Sequence, residues 1–301
     1  MLELNGIRAL HAVSATGSIS SAAAVLHLTT SAVSQRLAKL EREVGQTLLE
    51  RHSRGVLLTD AAKLLVDRAD KILALVDQTE AELEGHRGAV VGEVSVAGFP
   101  TAARGLLTGT LTSLAARFPA LSPRVSELEP DVSIPLVIRG DLDIAVVQDW
   151  FNVPLNLPPG LSRTELLDDV ADIALPAAHP LAARTTVDLA ELHSDRWISW
   201  TPGSGCYEWL LYTLRGYGIE PRIVHTAGEY ATQLALVQAG FGIAVIPRLG
   251  RESIPEGVRV VPVQPLLSRH VYAVWRSGGD RRPAIRATVA ALSRTARAAT
   301  P

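Results

Sequence analysis

Residues 18–54 read Ser18-Ile-Ser-Ser-Ala-Ala-Ala-Val-Leu-His-Leu-Thr29-Thr-Ser-Ala-Val-Ser-Gln-Arg-Leu-Ala-Lys-Leu-Glu-Arg-Glu-Val-Gly45-Gln-Thr-Leu-Leu-Glu-Arg51-His-Ser-Arg54. Ser18 is a good N-cap for a helix over about 19–26, and Thr29, Thr30 and Ser31 open a second that runs to about Val44, where Gly45 stops it. Two short helices across a polar turn, then a strand, a turn at Arg54-Gly55 and a return strand, predict a winged helix-turn-helix. This device puts one helix into the DNA major groove.

Upstream, Leu4, Ile7, Leu10, His11 and Val13 keep a 3–4 apolar rhythm, which predicts a helix over about 3–15 that Gly17 ends. At 100° per residue, Val33, Leu37, Leu40 and Val44 of the third helix share one stripe and face a core. Ser31, Gln35, Ala38 and Arg42 lie opposite, with Ser34 and Lys39 flanking. Such a short, polar outer face can approach base edges. Gln bonds adenine bidentately, Ser and Thr bond several bases, and a helix N-terminus favours phosphate. A solvated amphipathic helix in a bundle has the same pattern, and the hairpin carrying Arg51 and Arg54 tips the balance toward the DNA backbone. Residues 28–55 hold five Arg or Lys against three Glu. That small excess predicts modest non-specific affinity and a need for a second DNA-contacting copy.

Length and composition bound the rest. The chain has 301 residues, 47 % hydrophobic and 20 % charged, with a net charge of −2. It can hold two or three small domains, and DNA affinity must come from a local patch. A single cysteine, Cys206, builds neither a disulfide nor a cysteine zinc site within one chain, as expected of a cytoplasmic protein. The N-terminus has no signal-peptide core, and no run approaches the ~20 apolar residues of a membrane span.

Asp60 can cap a long helix over about 61–85. Within it Ala62, Leu65, Ala69, Ile72, Val76, Thr79 and Leu83 alternate spacings of 3 and 4, a seam of about three heptads. That seam fits a homodimer, which a two-fold DNA site requires, or packing against the same chain.

From Gly92 short apolar strands alternate with helices. The expected strands are Glu93–Ala97, Arg124–Leu128, Leu142–Val147, Val170–Leu175, Trp197–Trp200, Arg222–His225, Gly242–Pro247 and residues 269–275. The expected helices are about 102–117, 131–139, 204–216, 230–239 and 281–298. This alternation predicts two α/β lobes with parallel sheets. In such folds ligands lie at the carboxyl ends of strands. The candidates are therefore Phe99, Pro100 and Thr101 after the first strand, Gln148, Asp149, Trp150 and Phe151 after the third, and Trp200, Thr201, Ser204, Cys206, Glu229 and Tyr230 in the second lobe. Their aromatics fit either a ring-bearing ligand or a sheet cap. Asp149 and Glu229 oppose a simple anion unless a cation sits beside them; Arg104 is a candidate for that cation, or a solvated side chain.

Ser18, Ala22-Ala23, Leu26, Thr29-Thr-Ser-Ala-Val-Ser-Gln-Arg-Leu, Leu40-Glu41, Gly45, Leu48-Leu49-Glu50-Arg51, Leu58-Thr59 and Ala61 together resemble the N-terminal signature of LysR-type transcriptional regulators. Many members read Ser-Gln-Pro-Ala-Val-Ser where this chain has Thr29-Thr-Ser-Ala-Val-Ser. Phe118-Pro119, Gly140-Asp141-Leu-Asp-Ile-Ala, His179-Pro-Leu-Ala and Val237-Gln-Ala-Gly-Phe-Gly-Ile-Ala-Val-Ile-Pro resemble pieces of that family's effector-binding domain. The resemblance implies a winged helix-turn-helix, a long linker helix and an α/β two-lobed effector domain similar to periplasmic binding proteins. The corresponding boundaries are 1–59, 60–88 and 89–301, with lobe I about 92–162 and 268–301 and lobe II about 163–267.

It also implies that Thr30, Ser31, Ser34, Gln35 and Arg36 read or frame the DNA beside Thr29 and Lys39, with Arg51 and Arg54 serving the wing. The partners implied are a dyad-symmetric double-stranded DNA site, a small-molecule effector between the lobes, a homodimer through the linker helix that assembles into a homotetramer, and RNA polymerase. Neither a metal nor a cofactor is expected. An enzyme is the main rival, but Gly203-Ser204-Gly205-Cys206 is not a nucleophile elbow and no metal-ligand spacing stands out. A secreted solute-binding protein would carry a signal peptide and no helix-turn-helix. A purely architectural DNA-binding dimer would not respond to small molecules.

Overall fold

The computed structural model describes residues 2–26, 28–52, 55–87, 89–251 and 253–299. The chain divides into two compact units, Met1–Leu83 and Glu84–Pro301. Among the described residues no helix is long and apolar enough to cross a membrane.

The first unit holds α1 (Leu4–Thr16), α2 (Ile19–Val25), α3 (Thr30–Val44), a hairpin of β1 (Leu49–His52) and β2 (Gly55–Leu58), and most of α4 (Asp60–Arg87). Ser18 caps α2 by accepting the Ser21 N–H, and Thr29 caps α3 by accepting that of Ala32. Gly45 ends α3 in the left-handed conformation, at φ 70°. Ile7, Leu10 and Val13 of α1, Ala22 and Ala23 of α2, and Val33, Leu37 and Leu40 of α3 form one buried cluster. Helices α1 and α3 touch closely, since a Cβ on Gly6 would lie 3.1 Å from the Leu40 Cβ. The Glu41 carboxylate accepts the N–H groups of Leu48 and Leu49 at 2.7 and 3.2 Å and so ties the hairpin to α3. The Arg54 half of the expected turn at Arg54-Gly55 lies outside the described residues.

Thr59, not Asp60, caps α4, its hydroxyl accepting the Ala62 N–H at 3.2 Å, and Asp60 is already helical. The first half of the supposed seam is packed into its own unit: Ala62 and Ala69 are buried in the α1–α3 core, with Leu65 and Ile72 against it. Further along, Leu75 and Leu83 are 63 % and 62 % exposed.

In the second unit β3 (Gly92–Gly98) leads into α5 (Pro100–Ala102), a π turn at Ala103–Leu107 and α6 (Thr108–Arg117). Then come β4 (Leu121–Glu127), α7 (Pro130–Arg139), β5 (Ile144–Trp150) and the 16-residue β6 (Leu161–Pro176). The chain continues through β7 (Val187–Asp188), β8 (Arg196–Ser199), α8 (Gly205–Gly216), β9 (Arg222–Thr226), α9 (Tyr230–Gln238), β10 (Ala244–Pro247), β11 (Val258–Val261) and β12 (Val263–Gln264). It returns through β13 (Leu267–Arg276) and closes with α10 (Pro283–Ala299).

The expected parallel sheets are replaced by one mixed sheet in the order β10-β6-β13-β5-β3-β4, with β11 also on β6. Only β3 with β4 and with β5 is parallel there; β13, β6, β10 and β11 pair antiparallel. Strands β6 and β13 run side by side from one lobe into the other, and antiparallel pairing lets one leave lobe I and the other return to it. Strand β6 also runs through the expected lobe boundary at 162/163. In lobe II β8 and β9 are parallel, and β8 adjoins Ile243. Each lobe has cores on both sheet faces.

Candidate functional site

The first unit presents a polar face on α3. Ser31, Ser34, Gln35, Ala38, Lys39 and Arg42 are exposed, while Val33, Leu37 and Leu40 are buried on the opposite side. The alternation follows from the 100° advance per residue acting on that apolar spacing. Thr29 and Thr30 are exposed at the helix start, and Arg36 is half-buried at the edge of the core. Lys39 is engaged by Glu3 at 2.6 Å. That hydrogen bond lowers the Glu3 pKa and raises the Lys39 pKa. Arg51 lies on β1. The Arg51 side chain and Arg54 lie outside what is described.

The second unit contains a cavity of about 670 Å³. Its wall is drawn from the carboxyl end of β4, the start of α7 and the end of β5 in lobe I, and from Trp200 and the start of α8 in lobe II. The Trp150 and Trp209 rings stack at 3.4 Å between centroids, and Trp200 meets Trp209 edge-on at 6.3 Å. Ser204 caps α8 by accepting the Tyr207 N–H, which sets Cys206 in its first turn. Burial, with a smaller contribution from Glu129, pushes the Cys206 thiol up to about 12, so it stays protonated at neutral pH.

Behind the cavity wall sits a buried polar network. Arg269 of β13 is 1 % exposed and Asp169 of β6 is 4 % exposed. Two guanidinium nitrogens of Arg269 donate to Asp169 Oδ2 at 2.9 and 2.7 Å. A third donates to Gln148 Oε1, and Thr101 Oγ1 accepts another bond at 2.8 Å. Gln148 Nε2 in turn lies 3.6 Å from Cys206 Sγ. The guanidinium also lies over the rings of Phe99 and Trp150, at 5.0 and 5.7 Å from their centroids. Asp169 Oδ1 accepts the Leu249 N–H at 2.8 Å. Next to it the segment after β10 runs against α5: an added Cβ on Gly250, at φ 62°, would lie 2.3 Å from the Thr101 carbonyl oxygen.

Of the candidates named from sequence, Gln148, Asp149, Trp150, Trp200, Ser204 and Cys206 come together in this cavity. Phe99 does not line it; it lies in the core under Arg269, because the first strand delivers it to the sheet interior. Pro100 opens α5, and Thr101 is buried with its hydroxyl on Arg269. Thr101, Arg104 and Tyr230 border a separate small depression, and Arg104 Nε donates to the Gly250 carbonyl. Thr201 and Glu229 are exposed and line neither. Phe151 is 71 % exposed. Arg269 and Asp169 escaped the sequence reading. A charge inside an otherwise apolar strand was the available signal, and its partner lies 100 residues away.

Comparison with known proteins follows this division. Residues 4–63 match the bacterial regulatory helix-turn-helix protein, lysR family, and residues 87–297 match the LysR substrate binding domain. The chain is 29 % identical over 290 residues to the uncharacterized HTH-type transcriptional regulator YnfL of Escherichia coli (strain K12), covering 95 % of this chain and 96 % of the relative. It is 31 % identical over 284 residues to the small neutral protease regulatory protein of Streptomyces lividans, covering 93 % and 80 %. Among solved structures, a full-length OxyR from Pseudomonas aeruginosa aligns with a TM-score of 0.72 at 20 % identity, covering 97 % of this chain and 95 % of that one. CbnR in complex with its target DNA aligns with a TM-score of 0.60 at 21 % identity, covering 98 % and 100 %. At these identities the two structures share the fold.

Proposed function

We propose, from the premise that this chain belongs to the LysR-type family of bacterial transcriptional regulators, that it reads a dyad-symmetric promoter site with α3 and answers to a small molecule held between the lobes of its second unit. The family is one of regulators with a helix-turn-helix and an effector-binding domain. The finer assignments concern which residues of this chain perform those roles.

The observation that carries the DNA assignment is the uncluttered face of α3. Ser31, Ser34 and Gln35 are exposed and short or flexible on a capped helix. Gln35 supplies the bidentate contact to adenine, Ser31 and Ser34 flank it, and Thr29 and Thr30 meet phosphate at the helix start. Arg36 and Lys39 frame the groove, Lys39 exchanging Glu3 for phosphate, and Arg51 and Arg54 approach the backbone from the wing. The effector assignment is supported by the cavity at the strand carboxyl ends, which is lined by indoles and a few convergent polar groups.

A dyad site requires two copies. The second half of α4, with the exposed Leu75 and Leu83 beside Val76, supplies a surface for a dimer, and a tetramer follows by pairing dimers. Effector binding then shifts the lobes, changes the spacing of the DNA modules and alters contact with RNA polymerase. This role places the chain in the bacterial cytoplasm, with no catalytic step of its own.

The test is gel-shift and footprinting of the full chain on the DNA upstream of its own gene. A protected dyad bound well above non-specific affinity is expected. Gln35→Ala should relax preference at one base of each half-site by about 1–3 kcal/mol. A wild-type protein with no site there or elsewhere above its non-specific affinity would sink the reading.

A further inference from the structure

The wall of the cavity holds four carboxyl groups, Glu127, Glu129, Asp131 and Asp149, and among the described residues that line it there is no Lys, Arg or His. Two of the four have a local explanation. Glu129 is the N-cap residue of α7 and Asp131 lies in its first turn, where negative charge complements the helix dipole. Glu129 is an exposed residue at the mouth, yet protein crowded around its carboxyl, and then the Asp131 charge, raise its pKa. Glu127 and Asp149 have no such account.

Asp149 is the decisive residue. It is 8 % exposed, and its Oδ2 accepts the Leu155 N–H at 3.0 Å and the Tyr272 O–H at 3.2 Å. Its Oδ1 is buried and has no hydrogen-bond partner among the described residues. The buried guanidinium behind the wall does not serve it: Arg269 directs its donors to Asp169, Gln148 and Thr101. A carboxylate oxygen desolvated without a donor is costly, and an incoming N–H with positive charge removes that cost. An anionic ligand would add like charge to the same wall. Trp150, Trp200 and Trp209 give the same cavity an apolar aromatic side that suits the hydrocarbon body of such a cation.

We propose that the effector taken by this cavity is an organic cation, a protonated amine or amidinium on an apolar body of about ring size, with its N–H donated to Asp149 Oδ1 and its body against Trp150 and Trp200. The proposal rests on the reading of the cavity as the effector site and adds the chemical class. A size match supports it, since a cavity of about 670 Å³ takes a small organic molecule whole.

The experiment titrates the full-length protein with benzamidinium and phenethylammonium, and with their neutral and anionic counterparts benzamide and benzoate. It follows indole fluorescence and thermal midpoint. The two cations should bind at least tenfold more tightly than benzamide, with benzoate weaker still. Asp149→Asn, which keeps an acceptor for Leu155 and Tyr272, should remove that tenfold preference. Glu127→Gln, at the exposed rim and away from those hydrogen bonds, should weaken the cations two- to threefold and leaves the test standing if the first variant misfolds. Benzoate or benzamide binding as tightly as the cations would overturn the charge assignment and leave the cavity as a small-molecule site. If no probe perturbs the indoles or the midpoint at tens of millimolar, the effector-site reading falls and the proposal with it.

Discussion

Arg269 carries a full charge into the middle of the second unit, and its surroundings show how that is tolerated. Its donors are shared among Asp169, Gln148 and Thr101, and its flat faces meet Phe99 and Trp150. Removing one member leaves an uncompensated buried charge, which is more damaging than never having had the pair. Arg269→Met should therefore lower unfolding stability by about 3–5 kcal/mol in urea titration. Adding Asp169→Asn, which keeps an acceptor for the Leu249 N–H while removing the charge, should recover a large part of it. None of this was legible from the neighbours of Arg269 in the chain. The charge inside an otherwise apolar strand marked Arg269 as unusual, but only the pairing of β13 with β6 brings Asp169 opposite it. Gln35 is the contrary case, since its exposure follows from local spacing alone.

Helix α4 is the element whose reading changed most. Its 3–4 rhythm was plain in the sequence, but the rhythm does not say what covers it. Ala62, Ala69 and Leu73 are buried against α1–α3. Leu75 and Leu83 stand exposed. Small residues at 62 and 69 suit the close approach to a folded domain, and Leu75 and Leu83 further along form the exposed apolar side that the proposed dimer would use. Leu75→Glu with Leu83→Glu should weaken self-association at least tenfold in sedimentation equilibrium and leave the thermal midpoint of the monomer within a degree or two. An unchanged association constant would show that the second copy docks elsewhere. The helices of the second unit and most of its strands were located to within a few residues by apolar runs and turn residues, but β6 begins nine residues before the expected Val170 and the short β7, β11 and β12 were not foreseen. Their directions were not, because alternation along a strand is the same whichever way its neighbour runs.

At the scale of the whole molecule, the second unit is held by pairs that join parts of the chain far apart in sequence. Asp172 on β6 receives two hydrogen bonds from Arg248 at 2.9 and 2.7 Å and one from Arg251 at 2.8 Å. Burial alone would raise its pKa, but these bonds outweigh it and hold the carboxyl below its ordinary 3.8. The folded pKa is depressed, so the contribution to stability is complete above the unfolded value and is lost as pH falls through the folded one. Asp172→Asn should therefore lower the thermal midpoint at pH 7, and the gap from wild type should close on acidification below about pH 4. A gap that persists to the lowest pH would show that Asn loses packing rather than charge.

Legible in the sequence alone were most of the order of elements, the winged helix-turn-helix at the front, the face that α3 turns outward and the α/β character of the remainder. Each rests on contacts within about a dozen residues, which periodicity and capping record directly. Tertiary structure decided the mixed sheet, the burial of the first half of α4 in its own unit, the buried Arg269 network and the grouping of four carboxyls with three indoles around one cavity. Those features depend on residues far apart in the chain meeting at particular distances, and burial and hydrogen-bond satisfaction become defined only when the strands have found their neighbours.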